Sequence, residues 1–268
     1  MAKKLLEETR LNSAGEYLQN IKRNLENTNP TKTVRAKVMG ERHSRPTLLS
    51  NFILGSQDGL VNVLGILLGL TAATVDIRIF FVAALAALGA ESISMGAVAY
   101  TSTAARRRVY LKEADREGQE MKDVPEIELE EVRQIFRGWG YEGKELEDLT
   151  ESIAKNPKAM LELMMVYELN LAPVDKFEAR RSALVVGSST VFGSFIPLIP
   201  YLFVGRNILT GTEASVILSG VALFFIGVYE AKTTVGSLWR IGLQMAVIGL
   251  TAGLAGFLIG HFIGALPL

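Results

Sequence analysis

Two acidic residues stand where acids are costly. Asp58 lies in an otherwise uncharged stretch from about Leu48 to Ala73, and Glu91 lies in a second apolar stretch from about Ile77 to Ser102. An ionised carboxylate inside hydrocarbon is strongly disfavoured unless it is paired, hydrated or bound to a cation. In a helix, Asn62 falls one turn beyond Asp58 and Met95 one turn beyond Glu91, with Ser92 and Ser94 alongside. Carboxylate, amide and thioether groups can therefore converge on a cation. At a rise of ~1.5 Å per residue, Asp58 is ~15 Å in from Leu48, and Glu91 is ~20 Å in from Ile77 at the opposite end, so the two fall near one level. The same positions also suit neutral or hydrogen-bonded contacts between helices, with Met95 as ordinary packing.

A second constellation is polar throughout. Glu117 and Glu120 form one pair at i, i+3 spacing, and Glu128 and Glu131 form another, so each pair puts two carboxylates on one helix face. Two helices meeting at a turn near Val124-Pro125 would bring four carboxylates together, a hard-oxygen environment suited to divalent cations. Met164, Met165 and Glu168 follow on a later helix and add thioether sulfur and a fifth carboxylate. An acidic run is also what a solvated helix face looks like, and adjacent methionines are also ordinary core.

The elements that must position these groups follow from the distribution of charge. Residues 1–47 and 104–181 hold 24 of the 28 Lys and Arg, so the formal net charge of zero cancels unlike parts. It favours no nucleic-acid partner. Five stretches are long and apolar enough to cross a hydrocarbon layer of ~30 Å: about 48–73, 77–102, 182–204, 212–231 and 239–266. Only Arg78 and Arg206 fall on the side opposite the other basic residues, Lys232 and Arg240 included. This asymmetry predicts a cytosolic N-terminus and a cytosolic 104–181 segment, with an extracytoplasmic C-terminus. The acidic turn at Glu7-Glu8 is where a cleaved export signal would continue apolar, so none is expected. The chain has no cysteine, which excludes disulfides, thiolate zinc, iron–sulfur clusters and a cysteine nucleophile.

The segment between the second and third stretches reads as helices with clear punctuation. Pro125 suits the first turn of a helix through Val132, Ile135 and Phe136, which Gly138-Trp139-Gly140 ends. Leu146, Leu149 and Ile153 mark a second helix that stops at Asn156-Pro157, and a third is expected from Ala159 to Leu171. Ahead of the membrane stretches, Ala14, Leu18, Ile21 and Leu25 predict an amphipathic helix followed by a basic linker. The expected organisation is residues 1–47 as a cytosolic tail, 48–103 as two transmembrane helices, 104–181 as a cytosolic helical bundle and 182–268 as three more spans. The fold class is all-α.

These residues resemble the vacuolar iron transporter family, over most of the chain beyond the N-terminal tail. Gly55-Ser56-Gln57-Asp58-Gly59-Leu60-Val61 is similar to the family's first-helix segment, and Ser94-Met95, with Tyr100 and Ser102, is similar to its second. Glu117, Glu120, Glu128, Glu131, Met164, Met165 and Glu168 resemble its cytosolic metal-binding domain in type and spacing, and Phe192 to Pro200 resembles its Gly- and Pro-interrupted third helix. The resemblance implies a homodimer of five-helix subunits that exports ferrous iron, or manganese or another divalent metal, typically in exchange for protons. It implies an ion path at the dimer interface around Asp58 and Met95. Many relatives carry Gly-Glu-Tyr where this chain has Val98-Ala99-Tyr100, and Ala99 can neither ligate nor carry a proton. Glu91, about two turns earlier, is then the candidate proton carrier, with Glu230 as another; Glu230 also suits an interfacial charge paired with Lys232 or a lipid headgroup. His261 is expected to be an outer-end polar contact.

A membrane-anchored metal buffer or sensor is the competing reading. No P-loop, dinucleotide fingerprint or nucleophile with an adjacent base points to an enzyme, and no catalytic cofactor is expected.

Overall fold

The structure is a computed structural model that describes residues 46–73, 76–203 and 207–264. The expected amphipathic helix around Ala14 to Leu25 lies outside the described residues, as do the expected span ends at Val204 and Leu266. Among the described residues there are eight α-helices and no strand. They are α1 (Pro46–Ala73), α2 (Ile77–Asp123), α3 (Pro125–Gly138), α4 (Gly143–Ala154), α5 (Pro157–Tyr167), α6 (Glu178–Phe195), α7 (Ile208–Thr233) and α8 (Leu238–Gly264). Among the described residues five segments are long and apolar enough to cross a membrane: Leu48–Ala72, the apolar part of α2, Glu178–Leu202, Ile208–Thr233 and Leu238–Gly264.

The longest element is α2, with 47 residues, which at the usual rise is about 70 Å. It starts where the Asp76 carboxylate accepts a hydrogen bond from the Arg78 backbone N–H at 2.9 Å. Its first half is apolar and its second half charged, and no proline interrupts it. The helix therefore carries Glu91 and Met95 in its apolar half and Glu117 and Glu120 in its polar half.

Small residues let α6 sit against α1 and α2. A Cβ on Gly193 would collide with the Ser56 carbonyl of α1, and a Cβ added to either Gly96 of α2 or Gly187 of α6 would lie 3.7 Å from the other's Cα. Ser189, Thr190 and Ser194 are buried along this face. The third apolar segment changes geometry where Pro197 and Pro200 remove backbone donors, and it continues as a 3-10 helix over Ile196–Leu202. The Ser215 hydroxyl of α7 donates to the Pro197 carbonyl at 2.7 Å and so satisfies an acceptor in this break. Large apolar side chains including Ile93, Leu184, Phe192, Ile217 and Phe225 remain exposed along the spans. Lipid would cover such a surface.

Between α2 and α6 a small helical bundle forms around Val132, Phe136, Leu146, Met160 and Met164. Pro125 occupies the first turn of α3, and Gly140, at φ 93°, takes the left-handed backbone that ends it. The third bundle helix differs from the expected Ala159–Leu171. It begins at Pro157, because the Asn156 side chain accepts from the Ala159 N–H at 3.2 Å and proline suits the first turn. It ends at Tyr167, where the N–H groups of Glu168 and Leu169 both return to the Met164 carbonyl and Asn170 turns left-handed at φ 53°. The third span also starts earlier than expected, at Glu178.

The close approach at Gly193 gives a direct test. Gly193→Leu should lower the thermal unfolding midpoint by several degrees, since overpacking costs ~1–3 kcal/mol. Gly89→Ala, where an added Cβ meets nothing, should leave the midpoint unchanged or raise it slightly. Circular dichroism in detergent reads both.

Candidate metal centre

The turn between α2 and α3 builds the first site. The Val124 N–H caps α2 by donating to the Glu120 carbonyl at 2.8 Å, and Pro125 then opens α3. This reversal sets the first turns of α3 beside the last turns of α2. Glu117, Glu120 and Glu128 each offer a carboxylate oxygen, and these atoms all lie within 4.8 Å of one another. Glu117 and Glu128 are 1% and 3% exposed. Such a group could hold a divalent cation through oxygen ligands alone.

The sequence pattern anticipates four carboxylates meeting at this turn; the tight group has three. Glu131 is half-buried one turn further along α3 and acts electrostatically on both Glu128 and Glu117. Glu168 stands beyond the end of α5, so it is not on the helix that carries the methionines. Its residue keeps surface in solvent, yet its carboxyl feels Glu131, Glu117 and Glu120. Met164 is fully buried among the apolar residues of the bundle core, and Met165 is 1% exposed.

Partners separate the inner acids from the outer ones. Glu130 accepts from Arg137 at 2.8 Å and from Arg133 at 3.3 Å, and Arg133 also reaches Glu147 of α4 at 3.2 Å. Glu128, two residues before Glu130, has a buried Oε2 with no hydrogen-bond partner among the described residues. Arg116 contacts the other two members, at 2.7 Å to Glu117 and 3.2 Å to Glu120, and also Glu113 at 2.8 Å. Neither Arg116 nor Glu113 was singled out by carboxylate spacing, although an arginine at i, i+4 from one of the paired glutamates is a readable signal.

Burial pushes the Glu128 carboxyl up from 4.5 to about 7, with Glu131, Glu117 and Glu120 adding to the rise. Desolvation and then Glu131 push Glu168 up to about 7 as well. Glu117 is raised chiefly by burial, against which Arg116 works. Without a cation, these groups hold protons in the folded protein that they would release in the unfolded chain.

The second constellation lies between the spans. The Asn62 amide of α1 donates to Glu91 Oε1 of α2, and the Asp58 carboxyl is an immediate neighbour of Glu91. Glu91 Oε2 is buried with no hydrogen-bond partner among the described residues, and so is the Ser92 hydroxyl. Met95 is half-buried one turn further along α2. Asn62 also lines a groove of about 540 Å³ between α1 and α8, with Gly65, Gly69, Gly256 and Gly260 along its floor. Ala99 presents only a methyl group and receives the Ser102 hydroxyl on its carbonyl at 3.3 Å.

The remaining polar residues of interest stand apart from these contacts. Glu230 is half-buried near the end of α7, and its carbonyl accepts from the Thr234 hydroxyl at 2.7 Å. His261 is exposed and stacks on Phe257 at 6.2 Å. Trp139 packs edge-on against Tyr167 at 4.8 Å, and Trp239 against Phe224 at 5.1 Å.

The raised carboxyls set a pH dependence. Glu128 and Glu168 bind more protons folded than unfolded between about 4.5 and 7. Their contribution to stability is therefore fully present below 4.5 and is lost as pH rises through 7. The metal-free protein should melt at lower temperature at pH 8 than at pH 5.5 through this contribution. Glu128→Gln should flatten that part of the profile, as read by thermal melts across pH.

Comparison with known proteins adds the family. The model of the VIT family matches residues 49–261. Vacuolar iron transporter 1 of Arabidopsis thaliana is 32% identical over 216 residues, 81% of this chain and 86% of that protein. Vacuolar iron transporter 1 of Eucalyptus grandis is 34% identical, covering 78% of this chain and 84% of its own. The vacuolar iron transporter of Plasmodium falciparum is 29% identical over 82% of this chain and 84% of its own. With the family model covering both carboxylate constellations and reaching into all five apolar segments found among the described residues, this chain belongs to the VIT family.

Proposed function

We propose that this integral membrane protein exports ferrous iron from the cytosol, with manganese or another divalent metal as a further cargo, in exchange for protons. The observation that carries the reading is the Glu117–Glu120–Glu128 group, in which a buried oxygen of Glu128 lacks any partner among the described residues. A divalent ion satisfies that oxygen and offsets the mutual repulsion of the acids. Membership of a family whose relatives are named iron transporters supports metal as cargo.

In this mechanism the polar bundle faces the cytosol and collects the ion on Glu117, Glu120 and Glu128, with Glu131, Glu168 and the Met164-Met165 pair as its surroundings. The ion then passes to Asp58, Glu91, Asn62 and Met95 within the membrane. Two neighbouring carboxylates at that depth cannot both remain charged without compensation. A divalent cation and protons satisfy the pair alternately, which links outward metal movement to inward proton movement. Glu91 takes the proton-carrying role that Ala99 cannot fill, and Glu230 is a second candidate at the inner end of α7. The charge asymmetry of the loops supports a cytosolic N-terminus and an extracytoplasmic C-terminus. The groove beside Asn62 supports assembly as a homodimer with the path between subunits. The chemistry is binding and release, with no catalytic step.

A membrane-anchored metal buffer is the second reading, favoured by one observation: Ala99 supplies no ligand in the second span. Purified protein in vesicles separates the two. The transporter reading predicts ferrous iron uptake that collapses by at least ~tenfold, equal to about 1.4 kcal/mol of lost binding, in Asp58→Asn and in Glu91→Gln. Glu128→Gln should weaken metal capture while leaving some flux at high metal concentration. Metal binding without flux would establish the buffer instead, and flux indifferent to both membrane substitutions would remove the proposed path.

A further inference from the structure

The metal-collecting group already holds a cation of its own. The Arg116 guanidinium gives Nη2 to Glu117 Oε1 at 2.7 Å, Nη1 to Glu120 Oε2 at 3.2 Å and Nε to Glu113 Oε2 at 2.8 Å. Two of these three carboxylates belong to the tight group, and Glu113 does not. The third member, Glu128, is 3% exposed, and its Oε2 is buried without a partner among the described residues. The centre is thus half-satisfied. Oxygens on α2 are bonded to a tethered cation, while the buried oxygen contributed by α3 has nothing to bind.

Geometry explains why the guanidinium completes only half of the site. Its donors lie in one plane, and all three acids it meets are within one turn of it on its own helix. A spherical divalent ion has no such plane and can draw oxygens from both helices. It cannot sit among Glu117, Glu120 and Glu128 while a positive guanidinium holds two of them without strong like-charge repulsion. The Arg116 side chain is 45% exposed, so it can swing aside without disturbing the bundle core.

Resting on the metal-collecting reading above, we propose that Arg116 is a built-in competitor, holding Glu117 and Glu120 in the empty site and retreating onto Glu113 when a divalent cation binds. Arg116 thereby sets how tightly the centre holds metal. An acidic site with no internal counter-ion would bind its cargo tightly and surrender it slowly. One that must exchange a guanidinium for each ion captures more weakly and releases more readily, as a collecting station before a membrane path requires. Monovalent cations gain too little on three carboxylates to displace Arg116, so the same contact favours doubly charged ions.

The test uses the full chain in detergent with Mn²⁺ as the probe and free Mn²⁺ read by electron paramagnetic resonance. An Asp58→Asn, Glu91→Gln background confines binding to the polar helices. Arg116→Gln should lower the Mn²⁺ Kd about tenfold, the effect of removing one nearby positive charge. Lys112→Gln removes the same charge one turn away from a residue with no ion pair among those described; it should shift Kd less than about twofold. Arg116→Lys, which keeps charge but loses the fork, should fall between wild type and Arg116→Gln, and it carries the test if the glutamine variant loses its helical circular dichroism. An unchanged or raised Kd in a folded Arg116 variant would overturn the proposal, as would equal tightening from Lys112→Gln. Glu128→Gln distinguishes the deeper failure: if Mn²⁺ binding ignores it, the collecting site itself is misplaced and this inference falls with it.

Discussion

A carboxylate taken out of water needs a cation, a donor or a proton, and the organisation of this chain follows from that requirement. Glu117 and Glu128 are almost wholly buried outside the apolar spans, and Asp58 and Glu91 meet inside them. Among the described residues each constellation leaves one buried carboxylate oxygen without a hydrogen-bond partner, Glu128 Oε2 in the polar bundle and Glu91 Oε2 between α1 and α2. Such oxygens are costly to retain unless something arrives to bind them. In the mechanism proposed for this member of the VIT family, a divalent ion is what binds them.

The same helix serves both constellations. Glu91 and Glu117 are both on α2, 26 residues apart, which is about 39 Å along an uninterrupted helix. A rod of this kind fixes Glu117 and Glu120 relative to Glu91 and Met95 without any need for the polar bundle to fold onto the spans. The tight seating of α6 against α1 and α2 through Gly193, Gly96 and Gly187 anchors the membrane half of the rod. The turn at Val124-Pro125, in contrast, shapes the polar half, because it alone brings Glu128 back to Glu117 and Glu120.

Much of this was legible from residue type and spacing. Runs without charge mark the spans, Pro125 and Gly140 bracket α3, and Asn156-Pro157 separates α4 from α5. What spacing cannot decide is which face of an acidic helix points inward. Glu128 and Glu130 are chemically identical and two residues apart, yet one is buried without a partner for Oε2 and the other is paired with two arginines. That difference depends on Arg133, Arg137 and the position of α4, which are tertiary facts. The end of α5 was hidden for a similar reason. Nothing in Glu168-Leu169-Asn170 forbids another turn, and the helix stops because its last carbonyls find N–H partners in a left-handed turn. By spacing alone Arg116 is one more charge on a charged helix, and only its contacts tie it to Glu117 and Glu120.

In the proposed mechanism, buried carboxylates exchange protons for metal. Counting the protons released when metal binds tests it most directly, by titrating the purified protein with Mn²⁺ in weakly buffered solution near pH 7. With Glu128 and Glu168 both poised at about 7, binding should release about one proton per ion. Binding of Mn²⁺ with no proton release near neutral pH would contradict the account.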